Sequence, residues 1–219
     1  SLDAVQTGTV YALEVGGEKV AVFKPREGEG FDRVGVPAGE GQFREEAVYL
    51  VDRLCDSRAG VPVTTRASIE VDGRTLEGSV QAFVGDVIGF IEDFAMPSDA
   101  DRAAEFVRPE AAEALALLDM RTLNMDRHSG NLLLLGREKP HGLGPIDHGC
   151  CLPPWWLLGE ANFDAWLDWA QLKREPCKAT RALAQNAHAR LPKICEMLLG
   201  VGLGAASIVT LRLCTLLVK

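Results

Sequence analysis

The stretch "NMDRHSGNLLLL", residues 124–135, sets Asp126 and Asn131 five positions apart and then runs into four leucines. An apolar run of that length, bounded by polar residues and glycine, reads as a buried strand. The polar segment ahead of it has two readings. In one it is a turn whose side chains cap nearby backbone groups. In the other it is a loop that holds a carboxylate and an amide at a site, with the strand as its rigid support. The choice depends on what the rest of the chain offers as partners.

Before this stretch the chain reads as β structure with one helix. "TVYALEV" (9–15), "KVAVFK" (19–24) and "SIEVDGRTLEGSVQAFV" (68–84) alternate or are rich in β-branched residues, and Gly16-Gly17 and Asp72-Gly73 are hairpin signals. The glycine-rich segment 27–41 leads into "FREEAVYLVDRL" (43–54), where Phe43, Ala47, Leu50 and Leu54 fall on one helical face. From Asp99 the pattern turns helical, with Pro109 at a break or in a first turn. A short β region precedes "GPIDHGCC" (144–151), and a mostly helical tail is expected from about Asn162. The expectation is an α+β chain with a small β-rich lobe, residues 1–85, and a larger helical lobe, residues 86–219. Clefts between lobes are common ligand sites.

Composition narrows the function classes. The chain has 219 residues, 47% of them hydrophobic and 25% charged, with a formal net charge of −8. That acidic balance, without any run of Lys and Arg, excludes a nucleic-acid surface of the usual electropositive kind. Six cysteines show neither a CxxC pair nor zinc-ligand spacing. With no leader-like start, they set the expectation of reduced thiols in a cytoplasmic setting. Cys150 and Cys151 read as small buried residues. Residues 197–218 are apolar, but Arg212 and Gly200, Gly202 and Gly204 interrupt them, so two core helices joined by a glycine turn are expected. "GVGLGAA" (200–206) lacks a preceding strand and the third glycine of a dinucleotide loop. The chain starts almost on an expected strand and ends in an apolar run, so the sequence leaves open whether it is a fragment of a longer protein.

Asp126, Asn131 and Asp147 make a hard-oxygen set suited to magnesium, which takes few protein ligands. Phosphoryl transfer needs such a set, a carboxylate to orient the acceptor hydroxyl, and a cation on the phosphates. Lys24 closes the strand "KVAVFK", where alternation sets it in line with Val20 and Val22, a row expected to be buried. Burying an ammonium is costly without a partner, and the helix at 43–54 offers Glu45 or Glu46. Taken singly, each of these residues has an ordinary explanation. The order Lys, Glu, Asp-x-x-x-x-Asn, Asp is that of the kinase parts, with "DRH" in place of "HRD" and "DHG" in place of "DFG".

At this point the chain resembles the phosphatidylinositol 3-/4-kinase superfamily, and within it the plant-type gamma branch of the type II phosphatidylinositol 4-kinases. The stretches that carry the resemblance are "AVFKP" (21–25), "FREEAVYLVD" (43–52), "GSVQAFV" (78–84), "LDMRTLNMDRHSGNLLL" (118–134) and "PIDHGCCLP" (145–153), with a weaker "WLDWAQ" (166–171). The resemblance implies a protein-kinase-like two-lobed fold, with ATP and Mg2+ or Mn2+ bound between the lobes. It implies Lys24 on the ATP phosphates with Glu45 as its partner, Asp126 as catalytic aspartate, and Asn131 and Asp147 on the metal. It also implies adenine contacts along Gln81, Ala82, Phe83 and Val84, with Val22, Leu133 and Ile146 around the ring, and Gly8 and Thr9 in a shortened phosphate-covering loop. The acceptor it implies is the inositol 4-hydroxyl of phosphatidylinositol, with a peripheral membrane contact. The apolar stripe of the helix, by contrast, places Glu46 nearer the core than Glu45.

Two rivals stay open on the sequence: a protein serine/threonine kinase of the same fold, and a kinase-like nucleotide-binding module with little activity. His128 and His148, without ligand spacing to another histidine, read as scaffold. Trp155 and Trp156 are expected to pack against Trp166 and Trp169 rather than to meet a lipid boundary.

Overall fold

A computed structural model of the chain describes residues 3–5, 10–29, 35–56, 58–71 and 73–218. Its first part is a five-stranded antiparallel sheet in the order β1-β2-β3-β5-β4, built from β1 (Asp3–Val5), β2 (Val10–Val15), β3 (Glu18–Pro25), β4 (Thr64–Val71) and β5 (Arg74–Ala82). The β2–β3 hairpin closes through Gly16 and Gly17, both at positive φ (+63° and +84°), the two-residue turn that suits the twist of the strands. At Gly78, where β5 passes β3, an added Cβ would run into the Lys24 carbonyl oxygen and the Phe23 ring, so glycine there permits the close approach that seats Lys24.

The face of β3 expected to be buried is the open one. Ala21, Phe23 and Pro25 are buried, with Phe23 packed among Tyr11, Leu13, Val71, Leu76 and Val80, whereas Val20 is 46% exposed and Val22 and Lys24 are half-buried. The row Val20-Val22-Lys24 therefore remains accessible. The apolar residues alone did not distinguish the two faces, since both carry valine or alanine.

Helix α1 (Gly41–Arg53) lies against this sheet and against the helices that follow. Its buried face is not the stripe 43/47/50/54. Phe43, Leu50 and Leu54 are only half-buried, while Gln42, Arg44, Glu45, Ala47, Val48, Val51 and Asp52 are buried. The helix is rolled because three charged side chains on that face have partners. Arg44 donates to the carbonyls of Cys151 and Leu152, and Asp52 accepts from the N–H groups of Ala59 and Val61 at 3.1 and 3.0 Å. Glu45 pairs with Lys24 of β3.

Beyond the first sheet, α2 (Ala100–Phe106) and α3 (Pro109–Thr122) flank a three-stranded antiparallel sheet, β6 (Val87–Phe90), β7 (Leu132–Leu135) and β8 (Gly142–Pro145). Pro109 occupies the first position of α3, where its missing N–H costs nothing. Leu132 and Leu134 of β7 are fully buried with Leu115, Phe106, Trp166 and Trp169. The leucine run is a buried strand, as its pattern predicts. The chain then makes turns through 146–177 before α4 (Lys178–Val201) and α5 (Ala205–Leu217), so the α-helical tail starts at 178 rather than near Asn162. Gly202, at φ +106°, ends α4 and lets α5 fold back, which is the expected glycine turn between core helices. The main apolar core lies among α1, α3, α4 and α5 and takes in Cys151 and Leu152. Among the described residues no helix is long and apolar enough to cross a membrane.

The tryptophan pairs separate. Trp166 and Trp169 are buried, and Trp166 stacks on Phe163 at 4.9 Å between ring centroids. Trp155 and Trp156 instead meet edge to face at 5.7 Å and are 48% and 61% exposed. The expected packing of all four does not occur, because the double proline at 153–154 sends the first pair onto the surface.

Candidate active site

A strand, a helix and a loop converge at Lys24. Its Nζ lies 2.6 Å from Glu45 Oε1 and 3.3 Å from Asp147 Oδ1, joining β3, α1 and the loop after β8. The lysine side chain is 28% exposed, Glu45 4% and Asp147 52%, so a buried carboxylate holds the ammonium from behind while an open one faces it in front. Burial by itself would lower the lysine pKa, but Glu45 and then Asp147 outweigh it and raise the pKa, so Lys24 is charged. Burial would likewise raise the pKa of Glu45, and the Lys24 charge, with a smaller contribution from His148, brings it below the usual carboxylate range. Glu46, the residue favoured by the apolar stripe, points elsewhere and binds Arg66 Nε at 2.6 Å and Thr65 Oγ1 at 3.0 Å.

Asp147 has φ +57°, a left-handed conformation that aspartate tolerates better than most residues. Its neighbour His148 is fully buried, with Nδ1 3.6 Å from Glu45 Oε2, and its ring makes no hydrogen bond among the described residues. On the far side of the loop, Arg44 of α1 holds the carbonyls of Cys151, at 2.8 Å, and Leu152. The thiol of Cys151 is pushed well up by burial, and Cys150 is buried beside it, as expected of small core residues.

Asp126 and Asn131 share one loop. The Asp126 N–H donates to Asn124 Oδ1 at 2.8 Å, and Asn131 Nδ2 donates to the Asp126 carbonyl at 3.1 Å, which directs the amide oxygen of Asn131 away from that bond. The loop reaches the Asp147 segment through its backbone, where Ile146 N–H donates to the Asn131 carbonyl at 3.1 Å. The structure thus unites Lys24, Glu45 and Asp147 directly, and links Asp126 and Asn131 to them through the base of the loop. As a donor set, the Asp147 carboxylate and the Asn131 amide oxygen are hard oxygens that fit Mg2+ or Mn2+, with the remaining positions left to water and phosphate.

The residues expected around adenine lie on β3, on and just after β5, on β7 and just after β8. Val22 pairs with Gln81 and Ala21 with Ala82, and Gln81 Nε2 donates to Thr64 Oγ1 at 3.1 Å. Sheet pairing stops at Ala82, although Phe83 N–H still donates to the Val20 carbonyl at 2.9 Å. Phe83 is 47% exposed, Val84 is half-buried, and the chain passes through Val84, Gly85 and Asp86 into β6. Leu133 lies on β7, and Ile146 follows β8. Gly8 and Thr9 lie outside the described residues.

A further buried group lies beneath the loop. Arg127, inside "DRH", is fully buried and bound to Asp119 of α3, Nε to Oδ2 at 3.0 Å. Asp119 also accepts from Trp166 Nε1 at 2.8 Å and Asn124 Nδ2 at 3.0 Å. Its signal in the sequence was an aspartate set in the apolar run "LALLDM" (115–120), where a charge needs a partner.

No family model matches the chain. It is similar to phosphatidylinositol 4-kinase gamma 4 of Oryza sativa subsp. japonica, 36% identical over 200 residues that cover 78% of this chain and 33% of that one. It is also similar to phosphatidylinositol 4-kinase gamma 6 of Arabidopsis thaliana, 30% identical over 198 residues, 75% of this chain and 31% of that one. The chain therefore spans about a third of the length of these curated relatives. In fold it is similar to the Helicobacter pylori proinflammatory kinase CtkA, with a TM-score of 0.51 at 14% identity over 96% of this chain and 90% of that chain.

Proposed function

We propose that this chain is the catalytic domain of a kinase of the phosphatidylinositol 4-kinase gamma kind, moving the γ-phosphoryl group of ATP to the inositol 4-hydroxyl of phosphatidylinositol. The observation that carries the reading is the placement of Lys24 Nζ against both Glu45 and Asp147, at 2.6 and 3.3 Å, from three distant parts of the chain. The likeness to relatives named as kinases, and to the fold of a kinase, supports it. We read residues 1–85 as the smaller lobe with the hinge and 86–219 as the larger lobe, with the nucleotide between them.

Each residue has a task in this reading. Lys24, kept charged and aimed by Glu45, binds the phosphate oxygens. Asp126 orients the acceptor hydroxyl and takes its proton. Asn131 and Asp147 hold Mg2+, or Mn2+, which when bound offsets charge on the phosphates. Val22, Leu133, Ile146 and the backbone from Gln81 to Val84 hold the adenine. The exposed Trp155-Trp156 pair follows the Asp147 loop and suits contact with a membrane surface, where such rings sit between apolar and polar phases. A cytoplasmic enzyme with peripheral membrane contact fits this set.

The test is transfer of labelled phosphate from Mg·ATP to phosphatidylinositol vesicles and, in parallel, to a protein mixture, with Asp147→Ala alongside. Label in the lipid, lost in the variant, is the expected result. Label in protein alone would replace the acceptor with a serine or threonine hydroxyl. Nucleotide binding without transfer to either would leave a binding module.

A further inference from the structure

The two residues read as metal ligands are sixteen positions apart on different loops, and something has to fix their separation before a cation arrives. Arg127 is placed to do so. Its Nη1 donates to the Asn131 carbonyl at 2.7 Å and to the Ile146 carbonyl at 2.9 Å, the latter immediately before Asp147. The rest of the guanidinium is held by Asp119, with Nε 3.0 and 3.3 Å from the two carboxylate oxygens and Nη2 at 3.3 Å. Both side chains are fully buried. Asp119 is itself fixed by Trp166 and Asn124, so the arginine, which is part of the Asn131 loop, is anchored to α3.

Stability alone does not account for such a pair, since a buried ion pair is often no better than apolar residues of the same volume. A planar guanidinium bound on one edge and donating from a tip to two carbonyls does give fixed geometry. We propose that Arg127 is a positioning residue that sets the distance and orientation of Asn131 and Asp147, and thereby the affinity of the site for Mg2+. This rests on the metal role given to those two residues above. Mg2+ demands near-ideal octahedral geometry, whereas Ca2+ accepts 6–8 oxygens in flexible arrangements, so loosening the pair penalises Mg2+ more.

The experiment is calorimetric titration of ATP in EDTA, in Mg2+ and in Ca2+, with thermal melting, on wild type and Arg127→Lys. Lysine keeps the charge beside Asp119 but has no planar fork to reach both carbonyls. If Arg127→Lys does not fold, Arg127→Met combined with Asp119→Asn removes both charges together and takes its place. The expected result is a loss of about 10- to 100-fold in apparent Mg2+ affinity, the usual cost of an outer partner of a metal ligand. The Ca2+ loss should be smaller, and metal-free ATP binding should be unchanged. A lower melting temperature with unchanged Mg2+ affinity would overturn the proposal, as would equal losses with and without metal. If wild type binds ATP no tighter with Mg2+, the metal reading above falls and takes this one with it. If wild type does and the variant matches it, only this one falls.

Discussion

Two ion pairs among the described residues are built for different ends. Lys24–Glu45 is sealed on the carboxylate side and open on the lysine side, with Asp147 beyond it. Asp119–Arg127 is sealed on both. In the first, the buried partner keeps the other charged and available to a ligand. In the second, neither charge reaches solvent, and the remaining donors of the arginine go to backbone carbonyls. Exposure of one partner, more than burial of the pair, separates a charge that acts on a ligand from one that holds the frame.

The sharpest way to break that contrast is to remove one partner of the sealed pair. Asp119→Ala leaves Arg127 charged with no counter-ion and strips the acceptors of Trp166 and Asn124. Removing one side of such a pair costs about 3–5 kcal/mol, and denaturant melts should show a loss of that size. A loss under about 1 kcal/mol, the value of exposed pairs, would mean the sealed pair is not sealed in solution.

Lys24→Met tests the open pair and should act first on function. Loss of a preorganised donor to the transferring group lowers turnover by about 10²- to 10³-fold, while the melt should move less than in Asp119→Ala. A pH signature follows. In wild type the Glu45 pKa is lowered, so the group contributes stability above the usual carboxylate pKa of about 4.3. That contribution is lost as pH falls through the lower folded value. Without Lys24, burial dominates and raises the pKa of Glu45; the folded state then binds the proton more tightly than the unfolded one, and stability falls as pH rises through that window. The difference in stability between the two proteins should therefore widen from pH 4 to pH 7. A constant difference would show that Lys24 does not govern Glu45.

The tryptophans repeat the comparison on a smaller scale. Trp166→Phe keeps the ring stack on Phe163 but removes the hydrogen bond to Asp119, a bond to a charged group worth about 1.5–3 kcal/mol. Trp155→Ser and Trp156→Ser, at exposed positions, should change stability by no more than about 0.5 kcal/mol. If the exposed pair proves as costly as Trp166, it is packed in solution, and the contact with a membrane proposed for it would be untenable.

How much of this was legible in the sequence depended on where the partners lie. The hairpin at Gly16-Gly17, the strand 132–135, Pro109 opening α3 and the glycine turn at 202 are specified by neighbours within a few residues, and local pattern shows them. The site residues were legible as an ordered set of residue types, and the structure brings Lys24, Glu45 and Asp147 into contact. The roll of α1 was not legible. Arg44, Glu45 and Asp52 are buried because of carbonyls, a lysine and N–H groups that lie 7–108 positions away. Counting apolar residues assigns every charge to the surface unless its partner is known. The same blindness hid Arg127, whose acceptors become neighbours only after β7 and β8 pair.

Glu46 offers a small effect and the cleanest check on that reading of α1. It sits one residue from Glu45 on the same turn, has the same charge, and was favoured by the apolar stripe. Its partners, Arg66 and Thr65, lie on exposed strand β4, and the ion pair with Arg66 is 36% exposed on the arginine side and 15% on the glutamate side. Such a pair is worth about 0–1 kcal/mol. Glu46→Ala should therefore cost at most that in a melt and leave ATP binding intact, whereas Glu45→Ala removes the partner that aims Lys24 and should weaken it. If the two substitutions had equal effects on ATP binding, α1 would not hold its rolled position in solution. The apolar stripe would then describe the helix better than the structure does.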